Sequence, residues 1–280
     1  MRNLSLLAAL LLVLSASLLS ASLSDSHVKA ELISEVRSLQ PSEPFWVAVR
    51  LTMDEGWHTY WRNPGDSGLP TQIKWTLPEG FEAGDIHWPY PHKFESSNIV
   101  SFGYEREVCL LTEIRPPKSL VPETLAKIAA TVEWLECEEI CLPGQADLIL
   151  ELPVRDVAPE VDSHWIKSFE ETRRNVPRAS SDWKISARSS KSGFILQLTP
   201  PPGLGSELAK VFFFPEKSGM IDHASEQETA QTEAGYVLKL KKSPYALEPT
   251  TRLRGVLVSS TGWRGPDSER ALQIDIPVMI

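Results

Sequence analysis

At 280 residues with 42% hydrophobic side chains, the chain is long enough for one large or two medium domains with real cores, which excludes wholesale disorder. Its 28 Lys and Arg stand against 37 Asp and Glu, a net charge of −9, and no basic stripe runs along it, which argues against nucleic acid as a partner. Three cysteines are too few for a disulfide-stapled scaffold, and an odd number leaves at least one thiol free or paired between chains.

Arg2 followed by an apolar run from Leu4 to Leu19, with small residues at Ser20, Ala21 and Ser22, predicts a secretory signal peptide over residues 1–22. A single membrane anchor is the alternative, but Ser15, Ser17 and Ser20 interrupt the run. Export to the periplasm places the cysteines where disulfides persist. No second long apolar segment follows, so the mature protein is not expected to carry electrons across a bilayer itself.

Phe45, Val47, Val49 and Leu51 fall at every second position and point one way, which predicts a strand within residues 28–52. The segment from Asp54 to Trp75 is punctuated by Gly and Pro, residues 71–77 return to strand, and residues 86–98 read as loop around Pro89 and Pro91. Residues 100–114 read as a hairpin or one bent strand. Residues 125–135 and 146–154 read as two further strands, the second with Leu148, Leu150 and Leu152 on one face. Short strands between turn signals predict a β-sandwich over residues 23–155. Val161, Trp165, Ile166 and Phe169 then fall at helical spacing before Pro177, predicting a helical linker within 156–180. Strand texture resumes from Trp183 and predicts a second β-sandwich over 181–280, which has no cysteine and reads as a spacer; His223 reads as an isolated loop residue. The fold class is therefore all-β, two sandwiches joined by a short helical linker.

The chemistry concentrates in residues 134–144, WLECEEICLPG, where strand-like runs flank Cys137 and Cys141. In a regular helix, side chains four apart hold their Cβ atoms about 5–6 Å from each other. A disulfide wants about 3.5–4.5 Å. A hairpin loop closes that gap, with Pro143–Gly144 expected to turn the chain just after it. A bridge closing so short a ring contributes only about 2 kcal/mol in the chain-entropy picture, so it suits exchange better than stapling. Glu136, Glu138 and Glu139 oppose thiolate formation, so the pair is expected to react mainly with a docked protein. Cys137 is taken as the exposed member, because Leu142 and Pro143 draw Cys141 towards the strand. Cys109, between Val108 and Leu110, reads as a small core residue, with pairing to Cys137 or Cys141 as the alternative.

Two other functions fit a CxxxC in an exported protein. One is a Cu(I) site on the Cys137 and Cys141 thiolates, but the residues after Cys141 offer no His or Met, and His58, His87 or His92 would have to arrive through folding. The other is a non-catalytic adaptor that binds through its two sandwiches.

Residues 56–75 (GWHTYWRNPGDSGLPTQIKW), 88–91 (WPYP), 102–108 (FGYEREV) and 134–144 together resemble the N-terminal periplasmic domain of DsbD-type thiol:disulfide interchange proteins, in particular the ScsB-like branch. The resemblance is strong over residues 28 to 155 and looser beyond. It implies an immunoglobulin-like sandwich whose catalytic pair is Cys137 and Cys141, a redox-active disulfide with no other cofactor and no small-molecule substrate. It further implies electron transfer as a protein-disulfide reductase module, between a membrane electron-transfer protein, here a separate chain, and thioredoxin-fold periplasmic partners. Relatives shield the pair with a cap loop, which maps to residues 92–102, with Phe94 the lid and Phe102 at its end. Trp57, His58, Tyr60 and Trp61 either line the site or form sandwich core. The best-studied branch spaces its cysteines more widely than the three residues between Cys137 and Cys141.

Overall fold

Period-two alternation of apolar residues makes strands the dominant element, and burial follows the alternation: in Phe45–Met53 every second side chain, from Phe45 through Val47, Val49 and Leu51 to Met53, is buried. A computed structural model describes residues 26–96, 99–179, 182–204, 208, 210–246 and 249–279; the expected signal peptide lies outside them. The elements up to residue 153 are β1 (Val28–Ser34), β2 (Phe45–Met53), β3 (His58–Gly65), β4 (Gln72–Thr76), β5 (Glu82–His87), β6 (His92–Ser96), β7 (Ile99–Glu105), β8 (Glu107–Arg115), β9 (Leu125–Cys137) and β10 (Cys141–Pro153). They form two antiparallel sheets, β1-β2-β8-β5 and β10-β9-β3-β7-β6, with β4 also on β9. The inner faces meet in a core that includes Val49, Leu51, Leu110, Trp61, Phe102 and Val132.

A helix, α1 (Ile166–Asn175), follows. It begins later than the apolar spacing suggested, since Val161 instead forms a β-bridge with Val36, and it stops before Pro177; Arg173 and Arg174 lie in its last turn, where they favour the helix dipole. It does not span a gap. Phe169 is fully buried against Ile33, Ala48, Cys109 and Leu111 on the outer face of the first sheet, and Arg173 forms an ion pair with Glu35. The chain leading into it is tied to the sandwich by backbone bonds from Arg37 to Glu160 and from Asp162 to Glu35.

The remaining strands are β11 (Arg178–Ala179), β12 (Lys184–Ser189), β13 (Gly193–Thr199), β14 (Val211–Pro215), β15 (Glu228–Thr232), β16 (Gly235–Lys241), β17 (Arg252–Ser259) and β18 (Ala271–Met279). Two antiparallel halves, β14-β17-β18 and β12-β13-β16-β15, are linked where β12 meets β18 in parallel at Ala187↔Val278 and Arg188↔Met279. Their inner faces share a core that includes Leu196, Leu238, Phe213, Leu257 and Trp263. The all-β, immunoglobulin-like sandwich architecture expected from the sequence is thus what the chain adopts.

Residues 86–98, expected as loop, instead carry the end of β5 and all of β6. Cross-strand pairing supplies what local propensity lacked: β6 is short and polar, but it hydrogen-bonds along β7 from His92↔Gly103 to Ser96↔Ile99. The C-terminal strands also do more than space the molecule. Phe214, Val256 and Ala271 belong to the same core cluster as Trp61 and Phe102.

Cys109 is buried and unbridged, as a core residue would be. Burial, reinforced by the nearby Glu107 carboxylate, pushes its thiol from the ordinary 9.0 to about 12. Below 9.0 the folded and unfolded chains both hold this proton. Above it the unfolded chain releases the proton first, so the stability it contributes falls as pH rises towards 12. The denaturant midpoint of the wild type should therefore decline relative to that of Cys109→Ala across that window, and the gap between the two should stay constant below it.

Candidate redox site

β9 and β10 pair in unbroken register from Leu125↔Pro153 to Cys137↔Cys141. The cysteines are direct cross-strand partners, and only Glu138, Glu139 and Ile140 make the turn between them. Their Cα atoms are 4.2 Å apart and their sulfurs are bonded. That separation belongs to the close, non-hydrogen-bonded pairs of an antiparallel ladder, so regular sheet geometry brings the thiols together. Pro143 and Gly144, expected as a turn, lie within β10 opposite Leu135 and Trp134. Pro143 is tolerated because β10 is an edge strand with no ladder beyond it. Gly144 is needed because a Cβ there would lie 2.3 Å from the Trp134 indole.

The two sulfurs have different surroundings. Cys137 is 2% exposed, whereas Cys141 is exposed, which reverses the assignment made from the sequence. Position in the sheet explains it: Cys137 ends an interior strand and pairs with His58 of β3, while Cys141 begins the edge strand. The Tyr60 hydroxyl donates to Cys137 Sγ at 2.9 Å and lies 3.6 Å from Cys141 Sγ. Burial raises the Tyr60 phenol above its ordinary value, so it stays protonated and remains a donor. Gly68, at φ +105°, lets the loop after β3 lie flat on the Tyr60 ring, where a Cβ would fall 2.2 Å away. His58 stands beside Tyr60, and Phe94 stacks on it at 4.8 Å between ring centroids. Burial lowers the His58 pKa below its usual 6.5 and so favours the neutral ring.

The structure therefore brings His58, Tyr60 and Phe94 to the cysteines' face of the sheet. Trp57 and Trp61 are core: Trp57 stacks on His27, and Trp61 is fully buried with its edge towards Phe214. Phe102 is also fully buried, against Phe212, Phe214 and His223. It lies on the opposite side of the sheet from Phe94, because Phe94 is paired with Ser101 and Phe102 is one residue out of step. The expected cap loop is in fact the β6–β7 hairpin.

The three glutamates separate as well. Glu138 and Glu139 are exposed, but Glu136 is 1% exposed and turned inward. Its carboxylate accepts from Trp134 Nε1 at 2.8 Å, Ser26 Oγ at 3.1 Å and the His27 backbone N–H at 3.0 Å. The sequence does carry this signal: Trp134 and Glu136, two apart on one strand, share its inner face. His223, expected as an isolated loop residue, is buried and pairs with Asp66 at 2.7 Å; nothing in its local sequence foretells a partner so distant. Among the described residues, no group of three His, Cys, Asp or Glu comes together to hold a metal ion. His87 lies edge-on to Trp46 and His92 faces Tyr90.

A disulfide at a hairpin tip, joining a buried cysteine beside a tyrosine hydroxyl to an exposed one, is an arrangement suited to a thiol:disulfide interchange module. Residues 27–153 match the family described as "Thiol:disulfide interchange protein DsbD, N-terminal". Among solved structures, the N-terminal periplasmic domain of ScsB from Proteus mirabilis superposes with a TM-score of 0.63 at 17% identity, covering 91% of this chain and 94% of that one. At that identity the likeness is one of fold, and it extends through the C-terminal strands. The N-terminal domain of Neisseria meningitidis DsbD, in its reduced form, also matches, at 12% identity over 46% of this chain and 88% of its own, with a TM-score of 0.25. No curated protein matches the sequence. Among the described residues, no helix is long and apolar enough to cross a membrane.

Proposed function

We propose that the protein is a periplasmic electron relay, taking reducing equivalents from a membrane electron-transfer protein and passing them to thioredoxin-fold proteins through Cys137 and Cys141. On this reading residues 23–155 are the redox body, 156–180 connect, and 181–280 support it. The observation that carries the proposal is the asymmetry of the pair. A donor thiolate attacks the exposed Cys141 Sγ, the Cys141–Cys137 bond breaks, and its electron pair goes to Cys137 Sγ. The donor's second thiol then attacks the mixed disulfide, which leaves the donor oxidised and Cys141 reduced. Onward transfer runs the same steps in reverse: the Cys141 thiolate attacks an acceptor disulfide, and Cys137 resolves the adduct.

Tyr60 has a defined part in this cycle. Its hydroxyl already points at the sulfur that leaves as a thiolate, and a hydrogen bond to a charged partner contributes about 1.5–3 kcal/mol. Tyr60→Phe should slow reduction of the disulfide by a dithiol protein about tenfold, measured by stopped flow on the oxidised protein. An unchanged rate would remove Tyr60 from the mechanism. The relay itself is tested by exposing the native oxidised protein to a thioredoxin-like reductant and mapping the thiols. Cys137 and Cys141 should be released together; a bridge that survives until the protein is unfolded would mark it as structural.

A further inference from the structure

The β6–β7 hairpin has two faces with different neighbours. On one, Phe94 stacks on His58, beside the disulfide. On the other, Lys93 and Phe102 meet the C-terminal strands: the Lys93 ammonium lies 5.6 Å over the Phe212 ring, and Phe102 lies edge-on to Phe212 and Phe214. β6 itself is a five-residue edge strand paired only with β7, a length that does little to hold itself in place.

The Ser96–Ile99 end of the hairpin is fastened from the same side. Asp66 accepts from the Val100 backbone N–H at 3.0 Å, and its other oxygen pairs with His223, whose ring packs against Phe102. Asn63 donates to the Pro215 carbonyl at 2.7 Å, and Ser218 Oγ lies 2.7 Å from Asn63 Oδ1 and 3.0 Å from the Gly65 carbonyl, with one proton to share between them. These bonds clamp the irregular end of β3, where its register against β7 shifts between Tyr60 and Gly65.

We propose that the C-terminal sheet braces the hairpin that shields the disulfide, with Phe212 as the positioning residue that presses β6 from behind and so holds Phe94 over His58. This rests on the reading that Phe94 limits access to the Cys137–Cys141 pair. The C-terminal strands then set how readily the pair is reached without touching a sulfur.

The test uses the full oxidised protein and dithiothreitol, a small dithiol that needs no docking. Phe94→Ala should raise the rate of disulfide reduction about fivefold, the effect of losing one aromatic contact on a local opening. Phe212→Ala should do the same, and Phe212→Tyr should restore the wild-type rate. In a Phe94→Ala background, Phe212→Ala should add nothing, because both act through one contact. Amide exchange should quicken in residues 92–96 and 99–105 and stay slow in β13 and β17, which separates a loosened hairpin from a loosened fold. If Phe94→Ala is fast but Phe212→Ala matches the wild type, or if the two effects multiply, the brace is overturned while the shield stands. If Phe94→Ala itself changes nothing, shield and brace both fall, and the relay chemistry at Cys141 is untouched.

Discussion

Cys137→Ser should trap thioredoxin-fold proteins as mixed disulfides through Cys141, and Cys141→Ser should trap almost none. Cys137 is 2% exposed, so an incoming thiolate cannot reach the far side of its sulfur. Cys141, an exposed residue on an edge strand, is the more accessible of the two. Thiol exchange needs the attacking sulfur to approach along the bond it breaks, so access decides which atom is struck. Removing Cys137 also removes the thiol that would resolve the adduct forward, so only reversal by the partner's own released thiol remains. The difference in captured protein should be on the order of a hundredfold, comparable with losing a near-attack geometry. It is read by non-reducing electrophoresis of each variant incubated with a purified thioredoxin-fold protein in its disulfide form, whose bond the free thiolate attacks. Equal trapping by both variants would mean that the turn opens far enough to bare Cys137. Trapping only by Cys141→Ser would reverse the assignment.

Gly103→Ala should destabilise the protein by about 3 kcal/mol, the upper range for forcing extra atoms into a packed site. Gly103 pairs with Tyr60 across β3 and β7, and a Cβ there would lie 1.9 Å from the Thr59 carbonyl oxygen. The obstacle is backbone, so no side-chain rotation relieves it. β7 would have to draw back from β3, loosening Tyr60 and the hairpin with it. The urea midpoint should fall and the disulfide should become more reducible. A variant as stable as the wild type would show that the two strands separate at little cost.

How much of this was visible beforehand depended on range. Alternation along Phe45–Met53 and Ala126–Leu152 exposed the sandwich, because side-chain direction in a strand depends only on the next residue. The cysteine pair was legible for the same reason: four residues apart between two strand-like runs, it had to sit near a hairpin tip. Which sulfur faces water was not legible. That depends on β10 being an edge strand and on Tyr60 arriving from 77 positions away. The inward turn of Glu136 depends likewise on Ser26 and His27, some 110 residues earlier. β6 was lost among Pro89, Pro91 and polar residues, because its strand character comes wholly from β7. Phe102 was assigned to the cap by closeness in sequence to Phe94, whereas the pleat sends the two rings to opposite sides.

The position of Cys109 bears on how many times the protein can cycle. This thiol lies on the outer face of the first sheet beneath α1, and the reactive pair lies on the outer face of the second. Two sheets and the core between them separate the third sulfur from the working pair. Each turnover leaves two bare thiols that any nearby cysteine could capture into a dead-end bridge. By walling off its only other cysteine, the fold rules out scrambling within the molecule, and the dithiol has one internal disulfide to return to.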